Sequence, residues 1–153
     1  MGNLNIMRIF LCMAMPVLVY LSSCTTKDHE FSDFDKATII EHGVHHIFET
    51  VHFTSDFYLN PIQMIKSDDV PQSVKMQING RTCELIDELS KEYYQEDKKH
   101  PIPFVKIARL ERINDQMVRL DVEFPSIDSI YYLRIRHQAG TIPEVVALNS
   151  NPE

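Results

Sequence analysis

One short segment holds four of the seven histidines of this chain, interleaved with carboxylates. At about 100° per residue on a helix, His42, His45, Glu49, His52 and Asp56 project within an arc of about 80°, with His46 beside them. Imidazoles and carboxylates suit zinc or copper, and His42 with His46 has the i, i+4 spacing that metals use on helices. The glutamate, however, does not stand in a HExxH arrangement, and every surface helix needs a polar face. The face is therefore read as solvated, with a metal-binding chain as an alternative and no cofactor assigned. Nucleophilic catalysis is offered only Cys83 and His100, with no residue placed to orient them. Cys83 reads as a small buried hydrophobe. No GxSxG, SxxK, P-loop or paired-carboxylate signature appears. A third candidate comes from strand register: if Asn114-Asp115 is a tight turn, Arg109 and Glu111 share a face with Val105, Ile107 and Leu120. Charges on an inward face need a partner or water. They would line the mouth of a pocket between sheet and helix, joined by Tyr131; the alternative is a frayed strand end or a register shifted by one.

The elements that must position these residues follow from periodicity. A helix beginning near Asp35 puts Ala37, Ile40, Val44, Ile47, Phe48, Val51 and Tyr58 on one side. Gly43 interrupts it at a cost of about 1 kcal/mol relative to alanine. Residues 60 to 80 are ambiguous: Val74, Met76 and Ile78 alternate with polar residues toward an Asn79-Gly80 turn, yet could equally be helical. From Thr82 to Glu96, Leu85, Ile86, Leu89 and Tyr93 predict a second helix, stopped by Pro101 and Pro103. Beyond Pro103 the period becomes two. Val118, Leu120, Val122 and Phe124 alternate with Met117, Arg119, Asp121 and Glu123, and the turn pairs Arg112 with Met117 and Lys106 with Glu123. Ile130 to His137 and Ile142 to Asn149 supply two further strands. The expectation is an α+β fold, N-terminal helices packed on a four-stranded antiparallel meander. That order resembles the NTF2-like and cystatin-like cones, a resemblance that carries no motif residues and implies no function beyond a small cavity-type enzyme as an alternative.

The N-terminus is the most specific part of the chain. From Ile9 to Leu21 it is almost wholly apolar behind a single charge, Arg8. Some thirteen residues at about 1.5 Å each span roughly 20 Å, short of the ~30 Å needed to cross a bilayer. Leu21, Ser22, Ser23 and Cys24 then resemble the lipobox of bacterial lipoproteins. The resemblance implies that residues 1–24 carry a signal peptide cut just before Cys24, and that the Cys24 sulfur bears a diacylglyceryl group. Residues 25–34 then form a tether and 35–153 a single domain. The start is left open between Met1 and Met7. Two acyl chains moor a protein durably where one binds reversibly. Thr25 stands where an inner-membrane retention aspartate would be, which by analogy implies the outer membrane. "TKDHE" is similar to the export tag of surface-exposed lipoproteins in Bacteroidetes, leaving the periplasmic or surface face open.

Composition excludes nucleic acid as a partner. The chain of 153 residues has a net charge of −7, and loss of Arg8 makes the mature part more acidic, without the clustered cations that counterion release requires. With Cys12 in the leader and Cys24 lipidated, Cys83 has no partner for an internal disulfide. The sequence reads as an envelope lipoprotein whose domain binds a protein or small molecule without catalysis.

Overall fold

The computed structural model describes residues 30–53, 57, 61–90, 93–94 and 102–151. Met1–Glu30 and Phe31–Glu153 form separate units, and the elements below belong to the second. Helix α1 spans Asp33–Thr50. Ser32 caps it: its Oγ accepts from the Asp35 amide at 3.1 Å and donates to the Asp35 carboxylate at 2.6 Å, and that carboxylate also accepts from the Ser32 backbone amide, the reciprocal bond of a capping box. Strands β1 (Gln63–Ile65), β2 (Gln77–Ile78), β3 (Arg81–Thr82), β4 (Glu84–Ile86), β5 (Phe104–Asn114) and β6 (Met117–Phe124) follow. A 3-10 turn over Pro125–Ile127 leads to β7 (Ser129–Arg136) and β8 (Glu144–Asn149).

Six strands form one mixed sheet in the order β4-β1-β5-β6-β7-β8, and β2 with β3 forms a separate ribbon. β1 runs parallel to both β4 and β5, whereas β5, β6, β7 and β8 pair antiparallel in succession. The architecture corrects the expected one. Helix α1 is the one α-helix described over its whole span, and the sheet is a six-stranded mixed one rather than a four-stranded meander in a cone. Over residues 82–90 the second helix expected at Thr82–Glu96 is replaced by β3, β4 and an irregular segment; of the remainder only Tyr93 and Tyr94 are described, and both are helical. Its apolar spacing misled for a physical reason: Leu85 and Ile86 lie side by side in a strand whose two faces are both covered. Leu85 packs on the main core and Ile86 on a second cluster beyond the sheet.

The main core lies between α1 and the inner face of the sheet. Ala37, Ile40, Val44, Ile47 and Phe48 of the helix meet Val118, Leu120, Val122, Phe124, Leu133 and Ile135. Gly43 marks the closest approach. A Cβ added there would fall inside van der Waals contact with Leu120 Cδ2 and lie 3.2 Å from Ile135 Cδ1. The glycine that weakens the helical pattern is thus what lets the helix sit down on the sheet. At the far end of α1, Phe48, Phe53, Phe57, Phe124 and Tyr131 form an aromatic cluster, with Phe53 and Phe57 stacked at 4.7 Å. In the ribbon, Asn79 and Gly80 both have positive φ, 53° and 71°, as a two-residue hairpin turn requires.

The second cluster seals the outer face of the sheet at its parallel end. Ile65, Tyr94 and Phe104 are buried there, with Ile86 and Ile102 partly so. The segment after β4 is held over them. Lys66 pairs with Asp87 at 2.9 Å, Lys106 with Glu88, and the Leu89 amide donates to the Tyr94 hydroxyl at 2.6 Å.

Candidate functional site

Two irregularities in β5 decide what its charged residues do. Lys106 faces Glu123 and Ile107 faces Val122, in the register that the sequence predicts. Beyond them, however, the pairing shifts to Arg109 with Asp121 and Leu110 with Leu120. Ala108 is the extra residue, a β-bulge, and one extra residue moves every later side chain to the other face. Leu110 therefore turns inward to the core, and Arg109 and Glu111 turn outward. A second shift after Arg112 pairs Asn114 with Met117 and moves the turn to Asp115-Gln116. The Gln116 amide donates to the Asn114 side chain at 3.0 Å, an Asx turn.

The three residues expected at a pocket mouth are thus divided. Arg109 and Glu111 stay together, 3.5 Å apart on the outer face. Tyr131 lies on the inner face in the aromatic cluster, 5.7 Å from the Phe124 ring centroid, and burial raises its hydroxyl pKa. The space between helix and sheet that the pocket would open into is filled by the main core.

What the bulge assembles instead is a charged constellation on the outer face of the antiparallel strands. Asp121 is only 5% exposed, although it sits on the face that α1 does not cover. Arg119 Nε donates to both carboxylate oxygens, at 2.8 and 3.2 Å, and Arg109 Nε lies 3.6 Å from Oδ2. The two guanidiniums roof the carboxylate. Its hydrogen bond and negative charge raise the Arg119 pKa above the ordinary value. Tyr132, next along the sheet and paired with Asp121, carries the Arg119 guanidinium 5.8 Å above its ring. Arg119 uses Nε in these bonds, and Glu111, its cross-strand partner, adds to the negative field around it. The alternation of β6 already places Arg119 and Asp121 together on the wet face. Only the bulge brings Arg109 over them.

The histidine face is broken up. Helix α1 ends at Thr50, with Val51 already extended, so His52 leaves the helical arc. His45 contacts Asn79 and lies 3.2 Å from Glu49, while His46 lies 3.4 Å from Thr50. Among the described residues no three His, Cys, Asp or Glu side chains converge as metal ligands. Asp56, Tyr58, His100 and Cys24 lie outside the described residues. Cys83 is 8% exposed, and burial, with Glu41 nearby, pushes its thiol up to about 12. A thiol so protonated is a poor nucleophile at neutral pH.

One further pair ties helix to sheet. His137, 3% exposed at the end of β7, places Nε2 3.3 Å from Asp35 Oδ1. The Ser32 hydroxyl and this imidazole together hold the Asp35 carboxyl below its usual pKa. The order Ser–Asp–His puts the carboxylate, not the imidazole, next to the hydroxyl, so the arrangement is not that of a Ser–His–Asp triad.

No protein-family model, curated protein or solved structure matches this chain.

Proposed function

We propose that this chain is a lipid-anchored envelope protein, held through Cys24 at the outer membrane, whose domain binds a protein partner without catalysing a reaction. The lipobox-like LSSC supports the anchor. The binding role rests on one observation: a nearly buried Asp121 holds Arg109 and Arg119 in place on the open sheet face, with Tyr132 beside them. Guanidiniums fixed in advance lose little freedom on meeting a carboxylate, so the chemistry recognised is an acidic side chain or chain terminus set next to an apolar group that Tyr132 can cover.

Affinity capture from native envelopes with the full acylated protein tests this reading. The wild-type chain is expected to retain a defined partner that elutes as salt rises, and Arg119→Ala and Tyr132→Ala are expected to lose it. Identical capture by the wild type and both variants would refute the assignment of this face.

A further inference from the structure

Three large apolar side chains stand exposed at one end of the domain, on three separate segments. Phe34, 69% exposed, is in the first turn of α1; Ile113, 51%, is beside the β5–β6 turn; Ile142, 78%, is in the β7–β8 connection. Contacts among their neighbours place these segments together. The Arg112 guanidinium lies 4.4 Å above the Phe31 ring, the His137 amide donates to the Gln116 carbonyl at 2.9 Å, and the His137 ring meets Asp35. A single exposed apolar residue on a surface needs no explanation. Three at the tips of adjacent segments form a set of shallow anchors.

The chain itself indicates what they meet. Phe31 begins the compact unit at this same end, and six residues, 25–30, separate Cys24 from Phe31. At no more than ~3.6 Å per residue, they let the acylated sulfur stand at most roughly 20 Å from the domain. A domain held so close to a bilayer by this end meets it with this end first. We propose that Phe34, Ile113 and Ile142 insert into the membrane interface, fixing the domain upright and turning its outer sheet face sideways, parallel to the membrane normal. The proposal rests on the reading that Cys24 carries the lipid, and extends it from an attachment point to an orientation.

The chain contains no tryptophan, so single-tryptophan reporters are free of background. Phe34→Trp, Ile113→Trp and Ile142→Trp would be compared with Ile130→Trp, an exposed site at the other end of β7, roughly 20 Å away. Chains beginning at Cys24 would be coupled through that thiol to a maleimide lipid in phosphatidylcholine vesicles with brominated acyl chains. Cys83, buried and protonated, is left unmodified. The three end reporters are expected to shift to the blue on coupling and to be quenched at least threefold more than the Ile130→Trp reporter. Equal quenching at all four positions, or none, would overturn the proposal. So would a blue shift already present without vesicles, which would mean that a second copy covers this end. Because the coupling is chemical, failure here is distinct from failure of natural acylation, which the intact mass of native material reads separately.

Discussion

The two ends of the sheet are built on opposite plans. At the parallel end, β4, β1 and the start of β5 are covered on both faces, by the main core on one side and by Ile65, Tyr94 and Phe104 on the other. At the antiparallel end, α1 covers one face, and the other carries Arg109, Arg119 and Tyr132 over the buried Asp121. β5 belongs to both, and the bulge at Ala108 is where it passes from one plan to the other. On the proposed reading the sealed end serves stability and the open face serves recognition: a binding surface needs a rigid sheet behind it but no second layer above it.

Truncations should expose that division most strongly. Phe104→Ala at the sealed end removes a ring that is 2% exposed and should lower unfolding free energy by about 3 kcal/mol. Tyr132→Ala on the open face should cost less than about 1 kcal/mol. Urea midpoints measure both, and similar losses would erase the distinction. Gly43→Ala comes next. Helix propensity alone favours alanine by about 1 kcal/mol, but overpacking against fully buried Leu120 and Ile135 costs about 1–3 kcal/mol, so net destabilisation is expected. A stabilised variant would mean that the helix does not approach the sheet so closely.

Asp121→Ala is a smaller and more selective test. Both arginines keep access to water, so the loss should be about 1 kcal/mol. The guanidiniums, no longer held, should then lose partner binding out of proportion to that loss. The smallest effect concerns the clamp between α1 and β7. The Asp35 carboxyl is held below its ordinary pKa, so its contribution is complete above the unfolded value near 4 and fades as pH falls through the lower folded value. His137→Phe should flatten the part of the acid-unfolding profile that Asp35 supplies, and an unchanged profile would show that the imidazole adds nothing.

The same division explains what could be read from the amino-acid order. β6 and β7 alternate cleanly because one face is wet, and Val118, Leu120, Val122 and Phe124 declare the inner face residue by residue. β1 and β4, three residues each and covered on both sides, have no alternation to show, and Leu85 beside Ile86 imitates a helix. The helix of residues 33–50 was legible through its apolar stripe, but its glycine was not, since the reason for Gly43 is Leu120, far along the chain. At the site, Arg109 and Glu111 were recognised as unusual and assigned to the wrong face. A bulge shifts register without a signature in residue type, and Ala108 looks like any small strand residue. Asp121 was legible as a wet-face residue; that two arginines bury it was not.

The account centres on a domain with one open face moored through a single sulfur, and the intact mass of the protein purified from its own membranes tests that most directly. The expected polypeptide begins at Cys24 and carries at least the added mass of a diacylglyceryl group. A chain still beginning at Met1 or Met7, or one trimmed elsewhere and free of fatty chains, would contradict it.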